Sequence, residues 1–306
     1  MRAKSVMREK DSEFLQKIRF LANDNPYFGK LAQRAKEIAS RNLHVSVVSS
    51  DCILRKIFSE TVSFCKAKTL DSFECISSLL DDEKIIQKLK MLKDNSTVFL
   101  DKIDLVSIDV QNEIIGLFET EWFSKKNILF ISGSEKNLEE IAQKGTFSMK
   151  LAYRLGLVKE NVCSLNEIKS GAKSMAWIIL NDSNIKSGKN IKGFSEAALN
   201  LIESHYWKNG VFELNAAIDW AVSACETEYI SEENLPFINS VSNDINAVVL
   251  ESLSEDKTMK TALDSFKRYY VTKILEENGN NQTQAAKILG LQRTYVSRLL
   301  NELNIR

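Results

Sequence analysis

The 306 residues include 44% hydrophobic side chains and 41 basic against 41 acidic ones. That apolar content supports two or three folded domains and excludes a disordered chain, and a formal net charge of zero excludes a whole-chain field that would draw it to nucleic acid or membrane, so any such signal has to be local. Five cysteines without a CxxC pair, and two histidines far apart, His44 and His205, argue against a metal site and read as reduced thiols of a cytosolic protein.

The first residues, MRAKSVMREKD, have no apolar leader core, and no run approaches 18 apolar residues, so a cytoplasmic location without a membrane partner is expected. Residues 11–40 read as helical, with Phe14, Ile18 and Leu21 at helical spacing and a break at Asn25-Pro26. Short β-like runs follow at 45–48, 97–100 and 128–131. Asp81-Asp82-Glu83-Lys84 reads as a helix start. Between the last two strands, Val110, Ile114, Leu117 and Phe118 share one helical face. Strands alternating with amphipathic helices predict an α/β fold with a parallel sheet. From about Glu167 onward the β signal ends, and 175–180, 197–202 and 213–224 read as helices. The boundaries drawn are an α/β subdomain over 1–166, a helical subdomain over 167–237, a polar linker over 238–260 and a small all-α unit over 261–306.

In that last unit Ala262, Phe266, Tyr270 and Ile274 recur every four residues, with Gly279 as a stop. A short helix over 283–289 carries small Ala285 and Ala286 inward, Gly290 makes a turn, and a third helix over 292–300 turns Val296, Leu299 and Leu300 inward. Two short helices joined by a glycine turn form a helix-turn-helix. Gln292, Arg293, Tyr295, Ser297, Arg298 and Asn301 face outward on the third helix, residue types that suit base edges and phosphates in a major groove. Residues 261–306 hold seven Lys/Arg and four Asp/Glu, so the positive charge sits where a DNA footprint needs it. The bland alternative is a three-helix cap with a solvated basic face.

The stretch NQTQAAKILGLQRTYVSRLL resembles the helix-turn-helix of the factor-for-inversion-stimulation (Fis) type. The resemblance implies base reading by Gln292, Arg293 and Tyr295 with Arg298 one turn on, phosphate contacts by Asn281, Thr283 and Gln284, and a dimer made by the first helix, where Phe266 and Tyr270 lie. Double-stranded DNA is the implied partner, bound by a homodimer or higher oligomer.

Fis-type ends are commonly fused to the AAA+ domain of NtrC-like activators of sigma-54 RNA polymerase, and the preceding segments are similar to that family in order. STVFLDKIDLVSIDVQNEIIGLFE resembles its Walker B strand and following helix, NILFISGSEKNLEEIAQKGTFSMKLAYRLG its sensor strand and arginine-finger segment, and FSEAALNLIESHYWKNGVFELNAAIDWAV its helical lid. The resemblance implies an AAA+-like parallel sheet with a helical lid over roughly 11–236.

The family's chemistry does not carry over. A Walker A loop needs glycines so that backbone N–H groups can close around phosphates, yet the matching stretch, SSDCILRK, has none. Arg55 stands near the lysine position. At Walker B, Asp101 persists while Lys102 replaces the glutamate, and a protonated lysine cannot act as a base. Ser148 replaces one arginine of the finger segment while Arg154 persists, Phe212 stands at the sensor-arginine position, and the sigma-contact loop has no counterpart in 59–95. The four residues Arg55, Asp101, Lys102 and Arg154 are thus read as a vestigial nucleotide site with no catalytic residue and no cofactor, Asp101 capping locally or pairing with Lys102 or another cation. A carboxylate metal site from Asp101, Asp104 and Asp109 is disfavoured against capping roles, and Trp207 beside His205 reads as core. The expected function is a DNA-binding regulator with a pseudo-ATPase body that oligomerises or docks a partner, RNA polymerase or an AAA+ paralogue. The competing readings are an ATP-dependent sigma-54 activator with divergent motifs and a non-catalytic partner that tunes an active paralogue.

Overall fold

The computed structural model describes residues 2–236, 271, 272, 275, 281–288 and 293–302, without the side chains of 2–8, 294, 295, 301 and 302. The chain divides into two compact units, Met1–Leu235 and Pro236–Arg306.

The first unit begins with α1 (Arg2–Asp24) and α2 (Pro26–Ser40). The break between them is chemical. Asn25 takes an extended backbone, its side chain accepts from the Tyr27 amide at 3.0 Å, and Pro26 sits in the first turn, where no amide proton is needed. Next come β1 (Val45–Val48), α3 (Cys52–Ala67), β2 (Phe73–Ser77), α4 (Asp82–Lys90), β3 (Thr97–Asp101), α5 (Ile108–Glu119), α6 (Trp122–Lys125), β4 (Leu129–Ser134), α7 (Leu138–Gln143), α8 (Met149–Leu155) and β5 (Lys159–Asn161). Asp81 stands at the N-cap of α4, as its acidic run implies.

The five strands form one parallel sheet in the order β2-β3-β4-β1-β5. Every residue of β4 is buried, the expectation for a parallel strand covered on both faces. β2 and β5 escaped the sequence reading. Both are edge strands, half-exposed and written in mixed residues, FECIS and KEN, so neither carries a continuous apolar run. A second correction concerns the helical part, α9 (Gly171–Ser187), α10 (Glu196–Ser204) and α11 (Gly210–Ala224). It contains a two-stranded parallel ladder of β6 (Gly193–Phe194) with β7 (Tyr229–Ile230), too short to leave a period in the sequence.

Gly133 in β4 is held by close packing. A methyl group there would lie 2.4 Å from Oδ1 of Asp101 and 2.8 Å from the Phe99 ring. Gly133→Ala is expected to destabilise the first unit by about 1–3 kcal/mol through overpacking. All four tryptophans (122, 177, 207 and 220) lie in this unit, so urea unfolding followed by tryptophan fluorescence reads it selectively; an unchanged midpoint would mean that the sheet absorbs the methyl by a shift of β3.

In the second unit α12 (Gln282–Ile288) and α13 (Arg293–Glu302) bury Ala285, Ala286, Val296, Leu299 and Leu300 together with Val271 and Leu275. The small alanines let the two helices cross closely. Ala262, Phe266, Tyr270, Ile274, Gly279, Gly290 and the 238–260 segment lie outside the described residues.

Candidate nucleic-acid interface and nucleotide-like site

Asn281 caps α12, its side-chain oxygen accepting from the Thr283 and Gln284 amides at 3.1 and 3.2 Å. Thr283 and Gln284 are themselves exposed, in the first turn of α12. Arg293, in the first turn of α13, and Arg298 are exposed, while Val296, Leu299 and Leu300 point inward. Ser297 is half-buried, and its hydroxyl donates to Oε1 of Gln282 at 2.9 Å, so it ties α13 to α12 in addition to any contact it makes with a ligand. Gln292 and the side chains of Tyr295 and Asn301 lie outside the described residues. A helix with paired guanidinium groups along its outer face has the chemistry for guanine edges and phosphates.

In the first unit the structure brings together residues far apart in sequence. The Arg55 side chain on α3 is fully buried, and it meets Asp101 at the end of β3 in a two-pronged pair, Nε to Oδ1 at 2.7 Å and Nη2 to Oδ2 at 3.1 Å. Its Nη1 also donates to the Ser49 carbonyl. Arg55 is therefore the cation that Asp101 pairs with. Lys102 is placed differently. It follows β3 in a left-handed conformation (φ 52°), with its side chain 40% exposed and its amine 4.0 Å from Glu135. In the stretch before α3, Asp51 accepts from the Ile53 and Leu54 amides at 3.0 and 3.2 Å and from the Val211 amide of α11 at 2.9 Å. Sequence reading missed Asp51; an acid immediately ahead of an apolar helical run signals a cap, but not a contact 160 residues away.

Arg154 lies apart from this cluster. It is exposed on α8 and stacks over the Phe118 ring with its guanidinium carbon 5.4 Å from the centroid. It borders a cleft of about 370 Å³ together with His44, Phe123 and Leu157. His44 accepts from the Phe130 amide at 3.0 Å through Nδ1, which requires a neutral ring there. Burial, reinforced by the positive charges of Arg154 and Lys66, pulls its pKa down to about 4. Ser148, at a family arginine position, caps α8 instead and donates its amide to Gln111 at 2.7 Å. Phe212, at the sensor position, is 66% exposed on α11. Trp207 is buried, donating from Nε1 to the Ile202 carbonyl, and His205 packs against its ring at 4.5 Å. Among the described residues no group of three or more His, Cys, Asp or Glu side chains is placed to hold a metal ion.

Residues 262–303 match the bacterial regulatory protein family of Fis type. The chain ends in a Fis-type helix-turn-helix. Its body is similar in sequence to bacterial regulatory proteins. Over 208 residues it is 26% identical to the nitrogen fixation protein AnfA of Azotobacter vinelandii and 27% identical to the transcriptional regulatory protein ZraR of Salmonella typhi, each alignment covering 65% of this chain and 38% and 45% of those proteins. It therefore spans less than half the length of these relatives. The fold is shared with two solved proteins. The structure of NtrX from Brucella abortus in complex with ADP superposes with a TM-score of 0.63 at 16% identity, over 92% of this chain and 69% of that one. The Thermotoga maritima RuvB Holliday junction branch migration motor gives 0.50 at 14% identity, over 90% and 86%. No described helix is long and apolar enough to cross a membrane.

Proposed function

We propose that the protein is a sequence-specific, DNA-binding transcriptional regulator whose AAA+-like body works without nucleotide, as a platform for oligomerisation or partner docking. The Fis-type pair α12–α13 reads DNA, with Arg293 and Arg298 on its exposed face, Asn281, Thr283 and Gln284 at the phosphate-facing turn, and Gln292, Tyr295, Ser297 and Asn301 completing the footprint. The observation that carries the reading of the body is the Arg55–Asp101 pair. An acid at the end of β3 is where such a fold places a magnesium ligand, and here both its oxygens are taken by an arginine with no exposed side-chain surface. Lys102 stands in place of the base, and a protonated amine has no lone pair to offer a water. Arg154 is left to a salt bridge with another subunit or with the lid. The body falls into an α/β subdomain to about 166 and a lid to about 237, and the intended setting is the cytoplasm.

A second reading has a definite support. The NtrX neighbours were solved with ADP and with ATP, so an ATP-dependent activator with divergent motifs is the rival. Calorimetric titration with ATP, plus phosphate release in the presence of DNA, separates the two. No heat and no phosphate are expected; saturable binding in the micromolar range would overturn the nucleotide-free reading.

DNA reading is tested by genome-wide occupancy and by competition between the enriched site and unrelated duplex. Arg293→Ala is expected to lower selectivity by about 1–3 kcal/mol, roughly 5–150-fold, through loss of a bidentate contact to guanine. Equal loss on all sequences would reassign Arg293 to phosphate, and unchanged binding would remove α13 from the interface.

A further inference from the structure

The body supplies an anion of its own at the place where two helix N-termini converge. Asp51 is 4% exposed and sits at the start of α3. Its Oδ1 accepts from the amides of Ile53 and Leu54, at 3.0 and 3.2 Å. Its Oδ2 accepts from the amide of Val211, at 2.9 Å, in the first turn of α11. Its own amide is held by the Ser49 hydroxyl at 3.1 Å, and the Ser49 carbonyl in turn receives Arg55. The approach of α11 is so close that a methyl group on Gly210 would stand 2.0 Å from Oδ2, and Gly210 adopts φ +57°, a conformation that favours glycine.

Each helix start presents amides without intrahelical acceptors and the positive end of its dipole. A phosphate group satisfies such a start well. Here one buried carboxylate satisfies two of them, and they belong to different parts of the unit, since α3 packs on the sheet while α11 packs on α9 in the helical part.

We propose that Asp51 is a built-in anionic latch, a surrogate for a bound phosphate group, that holds the helical lid on the α/β subdomain without any ligand. The inference rests on the reading of the body as one that works without nucleotide. An ordinary capping aspartate needs only the two α3 amides. The third bond, to α11, makes the closed arrangement a property of the fold.

The chemistry defines the test. Three N–H donors from two sides face two oxygens. Asparagine keeps one oxygen; the two α3 amides claim it over the single α11 amide, so its amino group is left opposing the Val211 N–H. As a helix cap, asparagine equals aspartate. The experiment is hydrogen exchange of the full chain, read by peptide over 207–214 and 52–58, for the wild type, Asp51→Asn and Asp51→Ala. The latch predicts slow exchange of 207–214 in the wild type. It predicts acceleration by at least ~10-fold in both variants, the scale of one charge-assisted hydrogen bond lost. It also predicts that inorganic phosphate slows exchange again in Asp51→Ala and leaves the wild type unchanged. Wild-type protection of 207–214 in Asp51→Asn, with loss only in Asp51→Ala, would reduce Asp51 to a cap and overturn the proposal. So would failure of phosphate to restore protection in Asp51→Ala. Should either Asp51 variant fail to show native tryptophan fluorescence, Gly210→Ala replaces it. That variant keeps the carboxylate and the α3 cap but drives α11 off the latch, and it must free 207–214 while 52–58 stays protected; protection of both would overturn the latch. The two readings fail separately. ATP heats in the wild type with exchange as predicted would remove the nucleotide-free body and leave the latch standing.

Discussion

Asp101→Ala is expected to lower the stability of the body by about 3 kcal/mol, because it strands the guanidinium of Arg55 in a site with no exposed side-chain surface. Removal of one partner from a buried ion pair typically costs about 3–5 kcal/mol, and the lower end applies since Asp101 keeps 20% of its side chain exposed. At about 2–4 °C per kcal/mol for a domain of this size, the melting point should fall by roughly 6–12 °C. The double variant Arg55→Met with Asp101→Leu tests the cause. If the loss comes from an unpaired charge, replacing both partners by apolar groups of similar volume should restore most of the stability. If Asp101 were instead an exposed residue awaiting a magnesium ion, Asp101→Ala would leave the unfolding midpoint where it is. Tryptophan fluorescence during urea unfolding distinguishes these outcomes in the body alone.

Acid should weaken the body through His44 by up to about 3 kcal/mol. The ring is half-buried at the edge of the cleft and neutral, with Nδ1 accepting from the Phe130 amide, and its pKa falls from 6.5 to about 4. The sign follows from proton counting. Between pH 6.5 and 4 the unfolded chain has protonated this histidine while the folded chain has not, so the unfolded state binds more protons and stability falls as pH drops. The contribution is complete above pH 6.5 and is lost as pH falls to about 4, a gap of some 2.5 pH units at about 1.4 kcal/mol each. His44→Gln keeps an acceptor and cannot titrate. The difference between wild-type and variant stability should therefore change across this window; parallel pH profiles would show that His44 is not the group responsible.

Three strands were legible because each is an apolar run that a parallel sheet buries on both faces: Val45–Val48, Thr97–Asp101 and Leu129–Ser134. The edge strands Phe73–Ser77 and Lys159–Asn161 were not, because one side of each faces solvent and its residues are mixed. The ladder of Gly193–Phe194 with Tyr229–Ile230 is two residues long and is held by pairing across 36 positions, which no local pattern announces. The helix-turn-helix could be read from its small alanines and inward aliphatic residues, since helix crossing depends on local spacing. The binding of Ser297 to Gln282 could not, because it depends on how the two helices rotate against each other.

Residue identities alone establish that no glycine-lined phosphate loop precedes α3, that a lysine follows the acid at the end of β3, and that residues 261–306 carry an excess of positive charge. These are matters of residue identity, and folding does not alter them. Where the remaining charges go depends on how the chain packs. Arg55 and Asp101 are 46 residues apart, and Asp51 and Val211 are 160 apart. A buried charge takes the nearest partner that the packed chain provides, and that distance is set by the sheet and the lid together.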